Sequence, residues 1–212
     1  MAESPLVHVV DDDPSVRDSL GLLLETAGFS VRTYDSALAF LEAASDQTAG
    51  CVLTDVQMPE LNGLELQRRM IERGIPLPVI VMTGHGDVPV AVEALKAGAS
   101  DFLEKPFEES HLLAAVDSAM AASRRAHDEA VAVADINARI ATLTPREREV
   151  LDRLVTGQPN KTIAYDLGSS PRTVEVHRAR VMEKMGARSL AELVRMTIAA
   201  ERAATSAKAS RR

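Results

Sequence analysis

The chain has no tryptophan, two tyrosines and four phenylalanines, so aromatics make up only 3% of its 212 residues. Its cores must therefore be aliphatic. There is one cysteine, Cys51, which excludes an internal disulfide and fits a reducing compartment. Cys51 lies in a strand pattern and reads as a small buried hydrophobe rather than a reactive thiol. No apolar run approaches the ~20 residues of a membrane span. No basic region followed by an apolar stretch opens the sequence, so no secretory signal is expected and the reading is cytoplasmic. No His/Cys spacing suggests a zinc site. No internal repeat is visible. What is present is ordinary globular material, since 46% apolar content is too high for disorder.

The net charge of −7 is divided unevenly. Residues 142–212 hold 14 basic and 8 acidic side chains, whereas residues 1–141 hold 10 basic and 23 acidic. An acidic front half joined to a basic back half implies two domains with different partners, the second a candidate for a polyanion.

The front half alternates short apolar runs with helical patterns. Leu6–Val10, Phe29–Tyr34, Cys51–Thr54, Pro78–Met82 and Asp101–Leu103 read as strands, and the runs LVHVV, CVLT, PVIVM and DFLE, short and rich in β-branched residues, as buried parallel ones. Helical patterns fall at 14–27, 36–44, 62–73, 88–98 and from 107 onward. Pro14 and Pro89 fit first-turn positions, and Gly28, Gly74 and Gly98 follow helical patterns. Five βα units imply a three-layer α/β sandwich with a parallel sheet.

Polar groups end the runs. LVHVV leads into Asp11, Asp12 and Asp13, CVLT into Asp55, PVIVM into Thr83 and DFLE into Lys105. In an open parallel sheet, side chains at the carboxyl ends of neighbouring strands converge on one crevice. Carboxylates, a hydroxyl and an ammonium together suit a divalent metal and a phosphoryl group. A hard dication with oxygen ligands relieves the repulsion of clustered carboxylates. Alone, each residue has a blander reading as a cap, a satisfied hydroxyl or a solvated charge; their coincidence at strand ends argues against it.

From His111 to about Ala141 there is no glycine or proline and alanine is abundant, so the last helix should run on, over 107–140, into a helical linker; a flexible coil is the alternative. The back half then reads as four helices. Thr144-Pro145-Arg146-Glu147 is a capping box, and the first helix should stop at Gly157. NKTIAYDLG gives a second, ending at Gly168. Ser170-Pro171-Arg172-Thr173 starts a third, stopped by Gly186, and Ser189-Leu190-Ala191-Glu192 caps a fourth. The second and third, joined by LGSSP, make a helix-turn-helix. On the third, Val174, Val181 and Met185 should face the core, flanked by Arg178 and Met182. Arg172, Glu175, Val176, Ala179, Arg180 and Glu183 point outward, a face able to enter a major groove. An ordinary solvated face is the alternative. Lys161 on the second helix reads as a phosphate contact. AATSAKASRR at the end reads as a disordered tail.

These motifs carry a resemblance. Residues 1–121 resemble the receiver domain of two-component response regulators. LTPREREVL, NKTIAYDLG and SPRTVEVHRARVMEKMGARS resemble the LuxR-type DNA-binding domain, and VMTGHGDVPVAVEALKAGASDFLEKPF is a long match to the FixJ-type subgroup. The implied architecture is a five-stranded, parallel, doubly wound receiver (1–121), a helical linker (122–141), an all-α four-helix helix-turn-helix domain (142–202) and a tail (203–212). The implied function is that of a phosphorylation-activated transcriptional regulator, an activator rather than an enzyme. Asp55 would accept the phosphoryl group from a sensor histidine kinase. Asp11, Asp12, Asp55 and the backbone carbonyl of Gln57 would hold Mg²⁺. Lys105 and Thr83 would bind phosphoryl oxygens, and Phe102 is the aromatic that responds. Lys105-Pro106 matches a position where receivers carry a cis bond. Val90, Val92, Lys96 and Asp101 would form the face of a homodimer made on phosphorylation. Lys161, Arg172, Thr173, Glu175, Val176, Ala179 and Arg180 would meet double-stranded promoter DNA, with RNA polymerase as a further partner and no membrane.

Asp13 has no implied role and reads as a solvated surface carboxylate. His85, in GHGD, reads as a loop residue, His8 as a packed strand residue, His111 and His127 as helix-surface residues, and His177 as a flanking one that packs or touches a phosphate. Two other readings stand beside this one. Asp11-x-Asp13 also occurs in haloacid-dehalogenase-like phosphatases, with Asp11 as nucleophile and Asp13 as acid/base. Against it, Ser15 stands where that motif wants Thr or Val, no second acidic pair follows Lys105, and the helical domain is left without a task. The other is a receiver that signals through protein contacts alone.

Overall fold

The computed structural model describes residues 6–44, 49–84 and 88–209. The chain forms two compact units, Met1–Asp128 and Glu129–Arg212. The division falls inside the segment expected as a linker.

The first unit has five strands, β1 (Leu6–Val10), β2 (Ser30–Tyr34), β3 (Cys51–Asp55), β4 (Val79–Thr83) and β5 (Asp101–Glu104). All pair in parallel, in the order β2-β1-β3-β4-β5. Helices α1 (Pro14–Thr26), α2 (Ala37–Ala43), α3 (Gly63–Arg73), α4 (Val88–Lys96) and α5 (Glu109–Ala141) connect and follow them. The period-2 alternation of strand side chains divides the core into two layers. Val10, Val52, Val79 and Val81 pack with α2, α3 and Ala94 of α4. Val7, Val9, Leu53, Ile80 and Met82 pack on the other face with Leu20 and Leu24 of α1 and with Leu112 and Val116 of α5. Burial on both faces explains the continuous apolar runs of β1, β3 and β4, whereas the edge strands β2 and β5, the latter expected to be buried as well, are largely exposed because each has a neighbour on one side only. His8 is fully buried as expected. Its Nδ1 lies 3.0 Å from the Tyr34 hydroxyl, and its ring packs against Phe40. Burial first, and then the charge of Arg32, lower its pKa to about 4.

The second unit holds the end of α5 and four further helices, α6 (Pro145–Val155), α7 (Asn160–Asp166), α8 (Pro171–Met185) and α9 (Leu190–Ala209). Val150, Leu151 and Leu154 of α6, Ile163 of α7, Val174, Val181 and Met185 of α8 and Leu193 of α9 form its core, with Ile136 and Ile140 of α5 packed against it. The Thr144 capping box is present with both of its hydrogen bonds. Ser170 accepts from the Thr173 N–H at the start of α8, and Gly186 takes the left-handed conformation that ends it, a position that favours glycine.

Three expectations shift. Asp55 and Thr83 are the last residues of β3 and β4 rather than the first beyond them, because Val56 N–H donates to Met82 O and Lys105 N–H to Thr83 O, which extends the pairing. Residues 203–209, read as a disordered tail, continue α9, since this alanine-rich run contains no glycine or proline to stop it. Residues 210–212 and His85 lie outside the described residues.

Candidate functional site

The strand order reverses between β1 and β3, and in such sheets the crevice outside the carboxyl ends at the reversal is where ligands bind. Asp11 follows β1 and Asp55 ends β3, so both stand at that point. They are 1% and 6% exposed, and Thr83 at the end of β4 is 2% exposed. Buried carboxylates need partners. Lys105, just past β5, supplies them: Nζ donates to Asp11 Oδ2 at 2.8 Å and to Asp55 Oδ1 at 2.7 Å. Burial works against the ammonium charge, but the hydrogen bonds and charges of Asp11 and Asp55 prevail and raise the Lys105 pKa. The other Asp55 oxygen, Oδ2, accepts from the Gln57 N–H at 2.5 Å. The Lys105-Pro106 bond is cis.

Neighbouring backbone is fixed around these groups. The Arg17 Nη1 donates to the Asp11 carbonyl at 2.6 Å, and the Gly63 N–H donates to Val56 O at 3.0 Å. A Cβ at Gly63 would collide with the Asp55 carbonyl, so only glycine lets α3 start this close to the end of β3. Asp13 has a definite role: as N-cap it accepts from the Ser15 N–H at 2.8 Å, and its own N–H donates to Asp11 Oδ1 at 2.9 Å. It is thus a helix cap that also orients Asp11. The local signal for this cap is an aspartate directly before a first-turn proline and two residues before Ser15.

Asp12 is exposed beside Asp11, and Gln57 is exposed beside Asp55. Among the described residues no three acidic, histidine or cysteine side chains are gathered closely enough to hold a metal ion. The lysine satisfies Asp11 and Asp55 in pairs instead. The donor chemistry nevertheless fits Mg²⁺, which binds through one or two carboxylates and leaves its other positions to water and phosphate oxygens. Phe102 is half-buried and packs against the core layer that contains α2 and α3. On α4 and β5, Val90 is half-buried while Val92, Lys96 and Asp101 are exposed. Leu95, 51% exposed, joins Val92 at i+3, a helical spacing present in the sequence.

In the second unit, Arg172, Thr173, Glu175, Val176, Ala179 and Arg180 all lie exposed on α8, opposite the buried Val174, Val181 and Met185. His177 is half-buried, and its Nδ1 has no hydrogen-bond partner. Lys161 on α7 is exposed, and Tyr165, one turn on, is 87% exposed. A lone tyrosine in a short helix carries no sequence signal of its exposure.

Residues 7–117 match the family model of the response regulator receiver domain, and residues 141–197 match that of bacterial regulatory proteins of the luxR family. The chain is 55% identical over 200 residues to the transcriptional regulatory protein FixJ of Azorhizobium caulinodans, covering 94% of this chain and 95% of that protein. It resembles the crystal structure of full-length FixJ from B. japonicum, with 50% identity, a TM-score of 0.58, and coverage of 95% of this chain and 98% of that one. It also resembles the response regulator StyR, at 43% identity and a TM-score of 0.78, covering 92% of this chain and 98% of that one. These likenesses give the phosphatase reading no support. Among the described residues no helix is long and apolar enough to cross a membrane.

Proposed function

The chain belongs to the response regulators that join a receiver domain to a LuxR-type DNA-binding domain, and on that premise we propose that phosphorylation of Asp55 switches α8 onto promoter DNA. The observation that carries this is the shared lysine: one ammonium bridges two buried carboxylates that stand at the reversal of the sheet. A carboxylate oxygen of Asp55 attacks the phosphorus of a phosphohistidine on the sensor kinase. The P–N bond breaks, the imidazole leaves, and an acyl phosphate forms. Asp11, Asp12, Asp55 and the Gln57 carbonyl are the groups that would hold Mg²⁺, which supplies charge neutralisation to the transferring oxygens. Lys105 then exchanges its Asp55 contact for a phosphoryl oxygen, as a point charge can do without a fixed fork geometry. Thr83 offers its hydroxyl to another oxygen. Phe102, half-buried beside β4, repacks in response.

The readout is a dimer. Val92 with Val90, Lys96 and Asp101 supplies the self-complementary face of a two-fold pair, which sets two copies of α8 on a pseudo-palindromic site. Arg172, Thr173, Glu175, Val176, Ala179 and Arg180 read base edges and Lys161 holds a phosphate. RNA polymerase recruitment in the cytoplasm completes the activator role. Moving such an equilibrium from mostly off to mostly on needs about 5.5 kcal/mol of differential stabilisation.

The test is sedimentation and duplex binding with and without a beryllofluoride mimic of the phosphoryl group, for the wild type and Val92→Asp. The wild type should dimerise and bind when loaded, and Val92→Asp should stay monomeric and bind weakly. A fully loaded wild type that stays monomeric yet binds DNA tightly contradicts the dimer, while one that binds no duplex contradicts the output role.

A further inference from the structure

Helix α8 ends at Met185, and the last carbonyls of any helix lack partners within it. Two are met locally: the Gly186 N–H donates to Glu183 O and the Ala187 N–H to Met182 O. The Met185 carbonyl is met from elsewhere in the chain. Arg139, in the last turn of α5, donates Nη1 to it at 2.9 Å. Its Nη2 is 2.9 Å from Asp135 Oδ2, one turn back on the same helix, so the guanidinium is held from both sides. Ile136 and Ile140 pack this turn of α5 against the helical core. A Cβ on Gly186 would strike the Arg139 guanidinium, so the glycine both permits the left-handed turn and leaves room for the cation. A cation at this end also meets the negative pole of the helix dipole. A second tie lies alongside, where Lys184 Nζ donates to Thr142 O at 3.0 Å and to Glu147 Oε2 at 2.7 Å.

We infer that Arg139 is a positioning residue for DNA reading: it fastens the end of α5 to the carboxyl end of α8 and so fixes the pose in which α8 meets the groove. This rests on the reading of α8 as the DNA-contacting helix. Arg172 lies at the opposite end of α8, about 20 Å away along the axis at 1.5 Å per residue. Arg139 therefore acts on the reading residues through the helix it anchors. Arginine suits the task because its planar fork serves a carbonyl and a carboxylate at once, and lysine retains only the charge.

The experiment uses the full chain loaded with beryllofluoride and compares wild type, Arg139→Gln and Arg139→Lys. Three quantities are read: amide hydrogen exchange at residues 183–187, duplex affinity, and the slope of log affinity against log salt. Arg139→Gln should speed exchange at the end of α8 and weaken DNA binding about two- to fivefold, with the salt slope unchanged. Arg139→Lys should recover part of both. Labelling of Asp55 should be unaffected in both variants. Wild-type exchange and affinity in Arg139→Gln overturn the positioning role alone. A weaker affinity with a salt slope lowered by about one also overturns it, because that is the signature of a direct phosphate contact. A loaded wild type that binds no duplex overturns the DNA reading and the positioning role with it.

Discussion

The receiver crevice and the face of α8 solve opposite problems with charged residues. In the crevice, charges come from positions far apart in sequence, are withdrawn from water and satisfy one another: Asp11, Asp55 and Lys105 form a closed set. On α8, Arg172, Glu175 and Arg180 come from one short stretch and lie exposed to water. On the proposed reading, a closed set stores its function as a balance that an incoming phosphoryl group would upset. On the same reading, an open set stores it as unspent hydrogen-bonding capacity for a partner to take up. The contrast implies that changes in the crevice cost stability, whereas changes on the face cost binding.

The largest expected effect tests the closed set. Lys105→Met leaves two buried carboxylates without their cation. Breaking a buried ion pair in this way costs about 3–5 kcal/mol, and the partial exposure of Lys105 places this case at the lower end. Denaturant unfolding at neutral pH should show that loss. Unchanged stability at pH 7 would mean that the crevice is as open as the face.

Next comes pH. The folded-state value of His8, about 4, lies below its ordinary 6.5. Between those values the unfolded chain binds the proton and the folded receiver does not. Its contribution is therefore complete above about pH 6.5 and is lost as pH falls toward 4, by roughly 2–3 kcal/mol. In the helical unit the comparable group is Glu147. Its hydrogen bond from Lys184, followed by that from the Thr144 backbone, lowers its pKa from 4.5 to about 2. Its contribution is complete above about pH 4.5 and fades only below that. Hydrogen exchange followed from pH 7 to pH 5 should show the strands around His8 losing protection while α6 keeps its own. His8→Leu should remove the receiver's loss in that window.

The smallest effects belong to the face. Arg172→Ala and Arg180→Ala should each weaken duplex binding by about 1–3 kcal/mol and relax preference at one position, with stability unchanged within about 0.5 kcal/mol. Lys161→Ala should weaken all sequences alike and flatten the salt slope. Quantitative binding across a set of mutated duplexes at several salt concentrations checks all three. If none of them changes binding, the exposed face of α8 does not read DNA.

How legible each region was follows from the same contrast. Apolar runs and the residues at their ends revealed the sheet and the crevice, because strands buried on both faces tolerate little else. The capping signals at Thr144 and Ser170 and the stop at Gly186 revealed the helices for equally local reasons. The links that bridge sequence distance were not legible. That Lys105 sits between Asp11 and Asp55, that Arg17 reaches the Asp11 carbonyl, and that Arg139 reaches Met185 all depend on how separate elements come together. The end of α9 has weak apolar periodicity, and its helix rests on the propensity of an alanine-rich run.

The central claim is that Asp55 is the phosphoacceptor of this crevice, and phosphoryl labelling of Asp55→Asn tests it most directly. Wild type and variant are incubated with labelled acetyl phosphate in Mg²⁺ and the protein-bound label is counted. The wild type should acquire acid-stable, base-labile label and Asp55→Asn should acquire none. Undiminished Mg²⁺-dependent labelling of the variant would contradict the assignment.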